Sequence, residues 1–135
     1  MARRYEQITE LYRQSIREIT SRPENWTSFL RSACRNYRLP FDELVLIYAQ
    51  RPDATAVLPI AGKNGWNKRF GRWVNRGATG IAVFDREYVH GTRLKYYFDI
   101  SDTHESRFAR PVPLWEVQAG QEADVIESLE NRLFH

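Results

Sequence analysis

The residue types that could do chemistry are concentrated between positions 63 and 76. These 14 residues contain five cations, three aromatic rings and three amides, and they contain no acidic side chain. In proteins that bind single-stranded nucleic acid, cations follow the phosphates, flat rings stack on unpaired bases, and amides hydrogen-bond to base edges. We therefore predict a site for single-stranded nucleic acid centred on this segment. We assign to it Arg51, Lys63, Trp66, Asn67, Lys68, Arg69, Arg72, Trp73 and Arg76.

The aromatic rings of this segment have a second interpretation as core residues. Trp66 and Phe70 are four positions apart, so they share one face if the segment forms a short helix. Trp73 could be buried as well. The sequence leaves open which of these rings is exposed for stacking, whereas the cations Lys68 and Arg69 have no acidic partner within the segment.

Net charge is unevenly distributed along the chain. The sequence carries 20 basic and 17 acidic side chains, a net charge of +3. Residues 1–76 hold 14 basic and 7 acidic side chains, whereas residues 77–135 hold 6 and 10, so their net charges are +7 and −4. Seventeen of the basic residues are arginine, which binds phosphate in a bidentate manner and stacks on flat rings. This asymmetry indicates a polyanionic partner.

The side chains needed for catalysis or metal binding are sparse. The three histidines have no metal-binding spacing, and Cys34 falls on a predicted apolar helix face. The densest group of possible ligands, residues 99–105, lacks the glycine and the length of a calcium loop. We expect a turn there instead, in which Asp99 or Asp102 accepts hydrogen bonds from backbone N–H groups. We predict no enzymatic activity, no metal and no cofactor.

Three helices are predicted before the basic segment. Apolar residues recur every three or four positions over 5–20, within a leading segment of residues 1–22. Ser21 and Glu24 have the spacing of a capping box that starts a second helix, whose apolar positions extend from Trp26 to Tyr37. Pro40 opens a third, largely apolar helix, which we expect to be central and to end before Pro52.

The remainder of the chain predicts a small sheet and a closing helix. Residues 55–58, 81–84 and 95–100 have strand composition, and the last two are expected to form an antiparallel hairpin. Residues 72–84 predict a further strand, tight turn and strand, with Gly77 and Gly80 allowing positive φ or close approach of another backbone. Residues 122–134 have helical periodicity. We predict one α+β domain over residues 1–135, with the helices packed on a small antiparallel sheet.

The same sequence bears on cellular location. We identify no membrane-spanning run and no apolar signal segment at the N-terminus. The single cysteine cannot form an internal disulfide. We therefore expect a cytoplasmic protein with no membrane partner.

Five segments carry a resemblance to a known family. They are residues 26–30, the sequence Tyr-Ala-Gln-Arg-Pro-Asp-Ala-Thr at 48–55, residues 66–74, residues 77–84, and the sequence Phe-Asp-Ile-Ser-Asp-Thr at 98–103. Together they resemble the N-terminal module of helicase- and methylase-like proteins from conjugative elements of Gram-positive bacteria. That module is similar to the N-terminal single-stranded DNA-binding domain of ArdC-type antirestriction proteins.

The resemblance implies single-stranded DNA binding with little sequence preference, as the front end of a larger DNA-processing or antirestriction protein of a mobile element. The turn of ArdC-type proteins usually runs Gly-Glu-Lys-Gly, whereas this chain has Ala78 and Thr79 between its glycines. The metalloprotease half of those proteins has no counterpart here, so no protease activity is implied. The alternative is a protein docking module of a conjugation or restriction-related complex, in which the tryptophans act as interface anchors without DNA contact.

Overall fold

The computed structural model describes residues 2–114 and residues 124, 126–128, 130 and 131. The predicted α+β class is confirmed. The elements are α1 (Ala2–Ile19), α2 (Pro23–Cys34), α3 (Phe41–Gln50), β1 (Val57–Leu58), α4 (Trp66–Phe70), β2 (Arg72–Val74), β3 (Ile81–Phe84), β4 (Leu94–Asp99), a 3-10 turn (Ile100–Asp102) and β5 (Thr103–Glu105).

The first three helices form where the apolar periodicity predicts them, but the capping box at the start of α2 is wrong. The hydroxyl of Ser21 donates to the carbonyl of Glu18, 2.7 Å away at the end of α1. Arg22 takes the N-cap position of α2 without a side-chain hydrogen bond. Ser21 therefore satisfies the last turn of the preceding helix, and Pro23 starts α2 because the first turn requires no N–H partner.

Helix α3 is central, as its continuous apolar sequence predicts. Its residues contribute to two core clusters, because both of its faces are covered. Leu46 and Ile47 pack against α1 and the sheet. Leu44 and Val45 pack against α2 and the end of α1, next to the buried thiol of Cys34. Cys34 is thus a small core residue, as predicted.

The strands form two small antiparallel sheets. One has the order β1-β4-β3, and its β3–β4 pair is the predicted hairpin. The other pairs β2 with β5. The predicted hairpin over residues 72–84 is therefore wrong, because β2 pairs with β5, which follows β4, rather than with β3. Gly77 does adopt a positive φ of 86°, and at Gly80 a Cβ would lie 3.0 Å from the side chain of Tyr96.

Strand β3 lies at the edge of its sheet, and a side chain binds the outward-facing backbone groups of one of its residues. The Nε2 atom of Gln50 donates to the carbonyl of Ala82 at 2.9 Å, and Oε1 accepts from the Ala82 N–H at 3.0 Å. This amide bonds to Ala82 as a further strand would, so that position of the edge is satisfied internally.

No helix in the described part of the chain is long and apolar enough to cross a membrane. The predicted closing helix falls largely outside the described residues, although the described positions among 124–131 are helical. Ile126 from this region packs against the core cluster of α2 and α3.

Candidate nucleic-acid interface

Helix α4 separates its aromatic residues from its cations. Trp66 and Phe70, four positions apart, both face the interior, and Trp66 is 0% exposed. The indole N–H of Trp66 donates to the carbonyl of Phe98 at 2.8 Å. Lys68 and Arg69 lie between them in sequence and face solvent. Trp66 is thus a core residue, and its assignment as a ring that stacks on DNA is wrong because no face of the ring is exposed.

Glycines at both ends of α4 allow other backbone segments to approach closely. A Cβ on Gly65 would lie 2.4 Å from the carbonyl oxygen of Ala61. Gly71 ends the helix with a φ of 63°, and a Cβ there would lie 2.4 Å from the carbonyl oxygen of Phe108. Both positions require glycine. The one at Gly71 brings residues 106–110 directly against the end of α4.

Residues 106–110 are fixed to α4 by hydrogen bonds. The backbone N–H and hydroxyl of Ser106 both donate to the carbonyl of Gly71, at 3.1 and 2.6 Å. The backbone N–H of Arg110 donates to the carbonyl of Phe70 at 2.8 Å, and its guanidinium reaches the carbonyl of Arg69 at 3.3 Å. A second basic and aromatic segment, Ser-Arg-Phe-Ala-Arg, therefore lies beside the first.

Two aromatic rings of these segments are exposed, and one of them, Phe108, contacts a cation. Phe108 is 70% exposed, and the guanidinium of Arg107 lies 5.0 Å from its ring centroid. Trp73 on β2 is 48% exposed and lies opposite His104 of β5 in the strand register. A ring exposed beside a cation can stack on an unpaired base while the cation contacts the phosphate. The stacking role predicted for Trp66 and Trp73 can therefore be filled by Phe108 and Trp73.

Two arginines assigned to the DNA site are instead bound to acidic residues. Arg72 is paired with Glu105 at 3.4 Å, and its Nε donates to the hydroxyl of Thr103 at 2.8 Å. Arg51 donates to Asp102 at 2.6 Å and to Asp53 at 3.3 Å. These hydrogen bonds, that of Asp53 most of all, raise the pKa of Arg51. Both arginines join elements of the fold, and these contacts use guanidinium nitrogens that a phosphate would otherwise bind.

Two of the three amides in the segment have an oxygen that is buried or already hydrogen-bonded. The Oδ1 atom of Asn67 is buried and has no hydrogen-bond partner within the described residues. The Oδ1 atom of Asn75 lies 2.6 Å from the Nδ1 of His104. Neither oxygen is free to bind a base edge. The remaining assigned cations, Lys63 and Arg76, are exposed on the loop before α4 and on the turn after β2.

Arg69 also lines a cleft of about 430 Å³. Two further arginines line this cleft, and neither was predicted from the sequence. Arg35 and Arg38 come from the turn after α2 and line this cleft together with Arg69. Arg35 donates to the carbonyl of Ala54 at 3.1 Å, and Arg38 lies over the ring of Tyr37. A sequence signal was present, because no acidic residue occurs between Glu24 and Asp42.

We name as the basic surface six cations, four of which are connected by these contacts and two of which, Lys68 and Arg107, lie in the same segments. Arg35 and Arg38 meet Arg69 at the cleft, and Arg110 contacts the backbone of Arg69. Among the described residues, no carboxylate lies within 4.0 Å of a charged nitrogen of any of the six. The basic surface consists of Arg35, Arg38, Lys68, Arg69, Arg107 and Arg110.

The acidic turn at residues 99–102 is structural, as predicted. One oxygen of Asp99 accepts from the backbone N–H groups of Thr55 and Ala56, at 2.8 and 3.1 Å. The other accepts from the N–H and hydroxyl of Ser101. Within the described part of the chain there is no group of three or more histidine, cysteine, aspartate or glutamate residues that could hold a metal ion.

Comparison with known proteins adds no relative. No family model, no curated protein and no solved structure matches this chain.

Proposed function

We propose that this domain binds single-stranded DNA with little sequence preference, through the basic surface and the exposed rings of Phe108 and Trp73. The observation that carries the proposal is the contrast in how cations are paired. Arg51, Arg72 and Arg86 contact carboxylates, whereas the six cations of the basic surface have none within the described residues. Unneutralised arginines that are close together repel one another, and a phosphate chain would relieve that repulsion.

The exposed rings favour a single strand over a duplex. Phe108 and Trp73 can stack only on bases whose faces are free, and the bases of a duplex are already stacked on their neighbours. The amide oxygen of Asn67 is buried and that of Asn75 is already hydrogen-bonded, which favours low sequence preference because fewer groups remain to recognise base edges. The wider role, in a mobile-element DNA-processing or antirestriction protein, rests on the family resemblance.

Fluorescence anisotropy tests this proposal. A labelled single-stranded oligonucleotide and the duplex of the same sequence are titrated with the protein at two salt concentrations. We expect tighter binding of the single strand and an affinity that falls as salt rises, with a logarithmic slope of about −0.7 for each phosphate contacted. Equal affinity for the duplex would contradict the role of the rings, and a flat salt response would contradict the role of the cations.

The second candidate function is a protein docking module, and a separate surface favours it. In the loop between β3 and β4, Val89 is 82% exposed, and Tyr88 packs against His90 with ring centroids 5.9 Å apart. Exposed apolar and aromatic groups of this kind serve as interface anchors. Absence of DNA binding at low salt would favour this candidate over the first.

A further inference from the structure

The cleft beside Arg69 has walls of two chemical kinds. Its rim carries the guanidinium groups of Arg35, Arg38 and Arg69, and no acidic residue lines it within the described part of the chain. Its interior is apolar, formed by side chains such as Leu58, Phe70 and Leu114. A ligand that matches both must have an anionic part and a flat or apolar part.

The arginines are held in place at the rim. Arg38 donates from Nε to the hydroxyl of Tyr37 at 3.2 Å and lies 5.6 Å from the centroid of the same ring. Arg35 is anchored by the backbone carbonyls of Pro52 and Ala54, at 3.5 and 3.1 Å. Arg69 lies 5.2 Å from the ring centroid of Phe70. Cations anchored in this way lose little side-chain entropy when an anion binds.

The cleft also lies at one end of the basic surface. Arg69 lines the cleft and contacts Arg110 through its backbone carbonyl, so a strand that follows Arg107 and Arg110 reaches the rim at Arg69. The volume of about 430 Å³ falls within the range of about 300–1,000 Å³ that is typical of small-ligand sites. A cleft of this size accommodates a small flat group but not a folded domain.

We propose that the cleft receives one unpaired nucleotide of the bound strand, with the base against the apolar interior and a phosphate on the rim arginines. This inference rests on the proposed function and deepens it, because it makes the cleft a specific subsite for one nucleotide. A base without its neighbours exposes apolar faces that favour such an interior, and its phosphate supplies the charge that the rim lacks. An acidic peptide would match the rim but would leave the apolar interior unfilled.

Two-dimensional amide NMR with small probes tests the inference. Thymidine 5′-monophosphate, deoxyribose 5-phosphate and a short polyglutamate are each added to the labelled full chain. We expect the nucleotide to shift the amide signals of Leu39, Val57 and Leu58, and the sugar phosphate to shift them less at equal concentration. Shifts with polyglutamate and none with the nucleotide would overturn the proposal in favour of a peptide. Equal shifts with both phosphates would reduce the site to an anion site and would also overturn it.

A cleft-filling variant tests whether the site that binds the nucleotide probe also binds the oligonucleotide. Leu114 is 49% exposed at the cleft, so Leu114→Trp can fill the space without disturbing the core. Ile60→Trp is the matched control, because Ile60 is 39% exposed and does not line the cleft. We expect Leu114→Trp to abolish the nucleotide-induced shifts and to weaken oligonucleotide binding about tenfold. Ile60→Trp should show the same shifts and the same oligonucleotide affinity as the parent chain.

The outcomes separate this inference from the proposed function. If Leu114→Trp folds and binds the oligonucleotide as tightly as the parent chain, the nucleotide subsite is wrong while single-strand binding stands. If the parent chain binds no oligonucleotide, the proposed function fails and the subsite fails with it. A thermal melt of both variants confirms that each remains folded.

Discussion

The Nη1 atom of Arg51 lies 2.6 Å from the Oδ2 atom of Asp102, and this ion pair joins the end of α3 to the turn before β5. A second nitrogen of the same guanidinium lies 3.9 Å from Asp99, whose other oxygen holds the backbone after α3. Two of the segments that carry the family resemblance, residues 48–55 and 98–103, are thus bound to each other. These contacts of Arg51 position the elements that the two segments form.

Replacing Arg51 should therefore reduce stability and not DNA affinity. We expect Arg51→Ala to lower the free energy of unfolding by about 1.5–3 kcal/mol, the range for hydrogen bonds to charged groups. Chemical denaturation measures this, with the exposed Arg13→Ala as a control that changes stability by less than about 0.5 kcal/mol. An Arg51→Ala protein as stable as the parent but deficient in DNA binding would restore Arg51 to the interface.

The two tryptophans of the basic segment should respond oppositely to truncation. Trp66→Ala removes a fully buried ring and its hydrogen bond to Phe98, and should cost about 3–5 kcal/mol of stability. Trp73→Ala alters an exposed ring and should leave the thermal melt nearly unchanged while weakening oligonucleotide binding by about 1–3 kcal/mol. Unchanged DNA affinity in a folded Trp73→Ala protein would remove Trp73 from the interface.

The amide of Gln50 should stabilise the edge of the sheet. Gln50→Ala leaves the N–H and carbonyl of Ala82 without their side-chain partner, and we expect a loss of about 1–3 kcal/mol. Gln14→Ala is the matched control, because Gln14 makes one exposed hydrogen bond on α1. Urea denaturation compares the two variants. Equal stability of both would show that water replaces the amide at β3 without cost.

Stability should also fall at alkaline pH through Tyr97. Burial, followed by the hydrogen bond to Glu43, raises the pKa of Tyr97 in the folded protein. The unfolded chain loses this proton near pH 10 while the folded chain retains it, so the stabilisation is complete below about pH 10 and declines above it. Denaturation between pH 8 and 11 measures the slope, and Tyr97→Phe should flatten it. An equal decline in Tyr97→Phe would assign the effect to other groups.

The helical part of the fold could be predicted because each helix has a consistent apolar period. Residues in α1 and α2 that recur at three and four positions became the core, and the continuous apolar run of α3 became the central helix. The β3–β4 hairpin could be predicted equally well, since its two strands are close in sequence. The pairing of β2 with β5 was not, because it depends on a register between residues 31 positions apart, such as Trp73 and His104.

Only part of the candidate site could be predicted, because some of its contacts also depend on long-range strand pairing. Composition identified Lys68 and Arg69 as unpaired cations, and they are exposed. Composition could not show that Arg72 meets Glu105, since that contact requires the same long-range strand pair. Nor could it show that the sharp turn at Gly71 brings Phe108 alongside α4. The sequence Ser-Arg-Phe-Ala-Arg at 106–110 was a visible signal for that second basic segment.

The salt dependence of binding by an Arg107→Ala, Arg110→Ala double variant tests the central claim most directly. Anisotropy with a labelled single strand is measured over a series of salt concentrations for the parent, this variant, and an Arg4→Ala, Arg13→Ala control that removes the same charge from exposed positions of α1. If each arginine of the basic surface neutralises one phosphate, the slope for Arg107→Ala, Arg110→Ala should be shallower by about 1.4, while the control keeps the parent slope. Slopes that fall equally in both variants, or in neither, would contradict a DNA site on the basic surface.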